Sequence, residues 1–231
     1  MNYTEIYNLK ISLFSSINAD NLKDLLGCLE AYTASYARGE TVWLEGDTLR
    51  RFGVVLEGQV NVYRDDILGN RTLMTAVTPP ELFGETIVCA GLSVSPVTAE
   101  ADADTRVLFL SFERAIRPCS TSCSFHNVLI RNMLGILARK NLTLSEKIGH
   151  ISKKTTRQKL ASYLIGEATR QHSRAFTVPL DRQALADYLG VNRSALSREL
   201  SGICAEGALS CSRNHFEILS PEKLEGILFS E

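Results

Sequence analysis

The sequence predicts an α+β fold in three successive parts: an antiparallel β-roll, one long helix, and a small helical unit closed by a β-hairpin. Three observations predict it. Between Gly39 and Phe112, short β-branched or aromatic runs alternate with glycine turns at intervals of about 8–12 residues, the pattern of a roll or sandwich. From Ser124 to Ser152 the apolar period becomes that of a helix. After Lys153-Lys154 the chain breaks into short amphipathic helices followed by two short strands.

In chain order, Leu22, Leu25, Leu26 and Leu29 have helical spacing within 18–31, behind a cap at Asn18 or Asp20. Strands are expected at 41–44, 52–56, 59–63, 72–77 and 106–110. Gly46-Asp47, Glu57-Gly58 and Gly69-Asn70 supply turn residues between them. Helices follow at 156–168, 181–189 and 192–204, with a short edge strand at 176–179 ahead of the second. The strands 209–211 and 215–219, joined by Ser212-Arg213-Asn214, make the closing hairpin.

In the long helix Ile130, Leu137, Leu144 and Ile151 recur every seventh residue. Leu134, Asn141 and Ile148 fall four residues after the first three, which completes an a/d seam of about three heptads. Asn141 occupies an a position, where a buried Asn fixes two strands in register at some cost in stability. The favoured expectation is a parallel homodimer helix; the alternative is a long helix lying on its own domain. The expected division is therefore 1–123 for the roll, 124–152 for the dimer helix and 153–231 for the last unit.

The 231 residues are 45% hydrophobic and 22% charged, enough for a full core, and no run approaches the ~18 apolar residues of a spanning helix, so no membrane is expected. The stretch Met1–Lys10 has no signal-peptide core, which makes the cytoplasm the expected compartment. There the six cysteines default to free, mostly buried thiols. The formal charge of -1 argues against a uniformly basic nucleic-acid binder, but it conceals a split. Residues 1–138 carry 11 basic against 16 acidic side chains, and residues 139–231 carry 14 against 10. The second part is the one suited to face an anion.

Within that part lies the strongest motif, Arg182-Gln-Ala-Leu-Ala-Asp-Tyr-Leu-Gly-Val-Asn-Arg-Ser-Ala-Leu-Ser-Arg-Glu-Leu200. Two helices cross sharply only if the contact residue is small and the turn admits positive φ. Ala186 is that small residue, Gly190 the turn and Asn192 the N-cap of the second helix. Arg193, Ser194, Ser197 and Arg198 share one face, opposite Leu196, Leu200 and Ile203. A short, polar, basic face suits base edges and phosphates of double-stranded DNA in the major groove. A solvated αα-hairpin is the bland alternative, and the following hairpin and preceding dimer helix weigh against it.

This order of parts resembles the cyclic-AMP receptor protein and fumarate-nitrate regulator (CRP/FNR) family of bacterial transcription factors, with a cyclic-nucleotide-binding-like roll and a winged helix-turn-helix. The likeness runs from about Leu13 to Leu219 and is densest at Leu137–Lys140, Ser145–Gly149, Arg182-Gln183 and Arg193–Arg198. The resemblance implies a homodimer on a roughly palindromic operator, with Arg182, Gln183, Asn192, Arg193, Ser194, Ser197 and Arg198 as DNA-binding residues. Arg198 is then the residue that reaches a guanine. A glutamate commonly stands in the family where this chain has Ser194. RNA polymerase is a further partner that the family implies.

The resemblance also supplies an effector site. Gly84, Glu85 and Thr86 look like the start of the family's phosphate-binding segment, and helix N-termini attract anions. Cyclic-nucleotide binders carry an Arg-Ser or Arg-Thr pair about eleven residues after that glycine; here Ser95 and Pro96 stand there, and no arginine lies between Arg71 and Arg106. The family's adenine-contacting Thr-Ser pair becomes Leu144-Ser145. A buried phosphate without its charge-assisted partner is poorly held. The expectation is therefore a small-molecule effector other than cyclic AMP, with no certain cofactor. A cyclic-nucleotide-responsive regulator, or a thiol or metal redox sensor using Cys119, Cys123 and His126, is the alternative within the fold. A cupin-like metalloenzyme is the distant rival. It needs histidines on the strands, and His126, His150, His172 and His215 all lie outside 39–112. No enzyme activity and no metal site are expected.

Overall fold

A computed structural model describes residues 2–117 and 125–229. The Cys119–Cys123 thiol pair lies outside the described residues. The chain divides into two compact units, Met1–Ala138 and Arg139–Glu231, at the same place where the charge balance changes sign.

The first unit opens with helices α1 (Tyr3–Asn8) and α2 (Ala19–Cys28). Asn18 caps α2, its side chain accepting the Asn21 N–H at 2.9 Å. The helix stops at Cys28, short of the expected Ala31, and Glu30 enters the left-handed region at φ 49° before the first strand. Strands β1 (Tyr32–Tyr36), β2 (Thr41–Trp43), β3 (Arg51–Glu57), β4 (Val60–Asp65), β5 (Arg71–Val77) and β6 (Leu82–Phe83) follow. Then come α3 (Glu85–Cys89), β7 (Thr98–Ala101), β8 (Thr105–Ser111) and α4 (Phe112–Ile116). They form two antiparallel four-stranded sheets, ordered β1-β8-β3-β6 and β2-β7-β4-β5.

Side-chain alternation on β3 and β8 divides the apolar residues between two cores. Phe52, Val54 and Leu56 of β3 and Leu108 and Leu110 of β8 pack with Leu22, Leu25 and Leu26 of α2. Val55, Val107 and Phe109 point the other way, joining Trp43, Val60, Val62, Val77, Phe83 and Ala99 in a core drawn from both sheets. Strands buried on both faces read as near-continuous apolar runs, as Val54-Val55-Leu56 and Val107-Leu108-Phe109-Leu110 do.

Helix α5 (Phe125–Ile151) crosses the division between the units as one continuous helix. In the first unit Leu129, Met133 and Ile136 enter the α2 core. On the same stretch Asn132 donates to the carbonyls of Leu13 at 2.9 Å and Ser15 at 2.8 Å.

The second unit contains α6 (Thr156–Arg170), β9 (Ala175–Thr177), α7 (Arg182–Leu189), α8 (Arg193–Ala205), β10 (Leu209–Ser212), β11 (His215–Ile218) and α9 (Pro221–Gly226). A capping box starts α6: Thr155 accepts the Gln158 N–H at 3.1 Å, and Gln158 returns the bond at 3.3 Å. β9 is an edge strand on β11 in the order β10-β11-β9. Leu160, Leu164, Phe176, Leu185, Leu189, Leu196, Leu200, Ile203 and Phe216 form one core beneath the helices and the hairpin.

Candidate nucleic-acid interface

The α7–α8 pair has the geometry of a helix-turn-helix. Asp181 caps α7 by accepting the Ala184 N–H at 2.8 Å. Gly190 ends it in the left-handed region, at φ 61° and ψ 47°, and Val191 donates back to the Ala186 carbonyl at 3.0 Å. Ala186 is fully buried where the helices meet. A larger side chain there would hold them apart.

Helix α8 separates its faces as the spacing predicts. Leu196, Leu200 and Ile203 are buried, while Arg193, Ser194, Ser197 and Arg198 are exposed. Among the described residues neither Arg193 nor Arg198 has an ion-pair partner, so both guanidinium groups keep their donors for an incoming acceptor. The acids of the region are engaged elsewhere: Glu199 lies 3.7 Å from Arg157, which also pairs with Glu206, and Asp187 accepts from Gln183 at 2.9 Å. That arrangement leaves the exposed face of α8 basic.

Four of the seven predicted contact residues already have local partners, Ser194 among them, its hydroxyl donating to Asn192 at 2.7 Å. Asn192 is the N-cap, Gln183 is held by Asp187, and the Arg182 guanidinium stacks over the Phe216 ring at 4.9 Å. Arg182 thus braces α7 against the wing strand β11. Sequence reasoning missed this because the partner lies 34 residues away. It also missed Arg157, which draws two carboxylates to itself from α6.

On α5 the a/d residues are largely unburied within the chain. Leu134 is 62% exposed, Leu144 58% and Ile148 51%, and Ile151 and Asn141 are exposed as well; Ile130 and Leu137 are half-buried. Beside this stripe runs the Leu129-Met133-Ile136 face used by the first unit, and Leu137 of the stripe packs partly against the same core. One face of α5 thus lies on its own domain, while Leu134, Asn141, Leu144 and Ile148 remain exposed. Near its C-terminus His150 meets Ser162 at 2.9 Å and the Tyr163 ring edge-on at 5.7 Å, docking α5 on α6. Burial pushes the His150 pKa below its usual value, against the pull of Glu146 and Glu167.

The predicted effector residues of the roll are largely held by packing and hydrogen bonds within it. Gly84 is left-handed at φ 76°, and a Cβ there would lie 2.9 Å from Cη2 of Trp43. Trp43 stacks on Phe83 at 5.0 Å. Glu85 is 1% exposed and accepts from the Thr86 hydroxyl at 3.3 Å. Ser95 is buried, and its hydroxyl donates to the Val97 carbonyl at 2.6 Å. Its backbone is pinned to Gly46 and Asp47, both at 2.8 Å. Ser95 and the half-buried Pro96 therefore form a structural turn. Leu144 and Ser145 are exposed on α5, where Ser145 donates to Asn141 at 3.4 Å. Among the described residues one buried donor in the roll is unsatisfied: Trp43 Nε1 has no hydrogen-bond partner. Sequence gave no signal for this atom. Among the described residues no cluster of three or more histidines, cysteines or carboxylates could hold a metal ion, and no helix is long and apolar enough to cross a membrane.

Comparison with known proteins agrees with both units. The model of the cyclic nucleotide-binding domain family matches residues 33–121, and that of the Crp-like helix-turn-helix domain matches residues 158–227. The nitrogen fixation regulation protein FixK of Bradyrhizobium diazoefficiens is 24% identical over 197 residues, covering 83% of this chain and 80% of the relative. The transcriptional activator protein FnrA of Stutzerimonas stutzeri is 26% identical, covering 79% of this chain and 74% of the relative. The crystal structure of the Thermus thermophilus catabolite activator protein superposes with a TM-score of 0.52 at 23% identity, covering 94% of this chain and 98% of that one. With a nucleotide-binding-type roll, a helix-turn-helix carrying an open basic face and both family models on one chain, this protein belongs to the CRP/FNR family of DNA-binding transcription regulators.

Proposed function

We propose that the chain works as a homodimer that binds a roughly palindromic operator, with its DNA affinity set by a small organic effector in the roll. The observation that carries the reading is the exposed basic face of α8, where Arg193 and Arg198 stand without ion-pair partners among the described residues. Arg198 hydrogen-bonds a guanine edge, and Arg193, Ser194 and Ser197 complete the contact. Arg182, Gln183 and Asn192 are the remaining DNA contacts of this reading, each also held by a local partner. In this reading 1–123 senses, 124–152 dimerises and 153–231 binds DNA, with RNA polymerase as the further partner.

The open stripe Leu134-Asn141-Leu144-Ile148 supports the dimer, because apolar side chains on one helical line favour a matching line on a second copy. Two-fold symmetry then sets the operator half-sites about one helical turn apart. The effector is an organic molecule other than cyclic AMP. In support, the segment from Arg71 to Arg106 has no arginine between its ends, and the Ser95 hydroxyl is consumed by Val97. Trp43 Nε1 is in addition a buried donor without a hydrogen-bond partner among the described residues, an isolation that costs about 1–3 kcal/mol. The effector shifts DNA binding only as far as it prefers one arrangement of the dimer.

Selecting DNA from a random pool with the full-length protein tests the reading. Enrichment of an inverted repeat is the expected result. A pool that enriches no sequence, or only an unpaired half-site, would contradict it.

A further inference from the structure

Cys204, in the last turn of α8, and Cys211, in the wing strand β10, bring their sulfurs to 3.3 Å, one thiol donating to the other. Both are free and partly exposed, and both pack on the edge of the second unit's core. The chain returns between them through a tight turn with Gly207 at φ 71°, and Lys223 donates to the Glu206 carbonyl at 2.9 Å to hold it. The pair is therefore fixed by the fold of the helix-to-wing connection.

We propose that Cys204 and Cys211 are a redox site, which a peroxide converts to a reversible disulfide between the recognition helix and the wing. A disulfide bond of about 2.05 Å requires only a small approach from the present separation, within reach of side-chain rotation. The two sulfurs lose two electrons, and the peroxide is reduced. A thiolate attacks the peroxide oxygen, the O–O bond breaks, and a sulfenic acid forms with release of one water. The second sulfur attacks that sulfenic sulfur and displaces the hydroxyl as a second water, and the two thiol protons end in the two waters.

The surroundings assign the order. Burial and the neighbouring Cys211 sulfur push the Cys204 thiol up to about 11, with Arg182 pulling the other way. Cys204 therefore stays protonated and acts second, resolving the sulfenic acid on Cys211. The bond it makes closes a short loop and removes freedom from the unfolded chain. It ties the C-terminal end of α8 to β10 and leaves Arg193 and Arg198, at the other end of α8, exposed.

The test uses the full-length protein treated with hydrogen peroxide, quenched by alkylation and digested without reductant. The proposal expects a mass loss of about 2 Da, from two hydrogens, and a cross-linked peptide joining Cys204 to Cys211. Both should be reversed by dithiothreitol. It also expects the melting transition to rise by several degrees on oxidation, a shift that C204S and C211S each abolish. A disulfide mapped to any other pair overturns the proposal. So does independent oxidation of the two thiols to sulfinic acids, or a melting temperature that oxidation leaves unchanged. Mapping on the unmutated protein decides the matter even if a serine variant folds poorly.

Discussion

Asn192 holds Ser194 twice: its side-chain oxygen accepts the Ser194 backbone N–H at 2.9 Å and the Ser194 hydroxyl at 2.7 Å. The first turn of the recognition helix is thus fixed before any DNA arrives. Replacing Asn192 with Ala should cost about 1 kcal/mol of stability, as loss of an N-cap does. Asn192→Asp should retain most of it. Urea unfolding of the two variants compares them, and equal losses would show that the cap is not the source.

Gly84 and Gly69 offer a matched pair. Both have positive φ, 76° and 82°, but a Cβ at Gly84 meets the Trp43 ring whereas none lies near Gly69. Each Gly→Ala change should cost about 1–2 kcal/mol for the left-handed backbone. Gly84→Ala should cost at least about 1 kcal/mol more, because the indole must move in a packed core. Denaturant titration followed by Trp43 fluorescence measures both, since Trp43 is the single tryptophan. Indistinguishable losses would mean that the Trp43 contact exerts no constraint.

His150 makes the second unit sensitive to acid. Its folded pKa lies below the usual 6.5, chiefly through burial. The unfolded chain therefore binds the proton more readily than the folded one. The stabilising contribution is complete above about pH 6.5 and is lost as pH falls from there through the depressed folded value. The melting temperature should drop on going from pH 7.5 to 5.5, and the drop should be smaller in His150→Gln. A variant with the same pH profile would assign the effect to another group.

The stripe on α5 predicts a change of assembly without a change of fold. Leu134→Glu combined with Leu144→Glu places two charges on the seam while leaving Leu129, Met133 and Ile136 in the core. Sedimentation should move from dimer to monomer with an unaltered circular dichroism spectrum. A variant that remains dimeric would place the dimer interface elsewhere.

What the sequence made legible follows from physical range. The α7–α8 motif was readable because its determinants, Ala186, Gly190 and Asn192, lie within a few residues of one another. The long helix α5 was readable because its period is local. β7 was not, because Thr98-Ala99-Glu100-Ala101 lacks β-branched bulk, and its place comes from pairing with β2 and β4. β1 was not either: Tyr32–Tyr36 lies ahead of Gly39, outside the stretch where strands were expected, and its place comes from pairing with β8. The Arg182–Phe216 stack, the Arg157 ion pairs and the unsatisfied Trp43 Nε1 depend on residues distant in sequence, and no local pattern announces them. The effector reading rested on Ser95 standing where an arginine is usual, and the Ser95–Val97 hydrogen bonds give that substitution a structural job.

The central claim is that α8 reads DNA through Arg198. The direct measurement is the affinity of Arg198→Ala for the selected operator and for its single-base variants, at one fixed salt concentration. The account predicts a loss of about 1–3 kcal/mol on the operator, with discrimination relaxed at one symmetric base position. Unchanged affinity and unchanged base preference would contradict it.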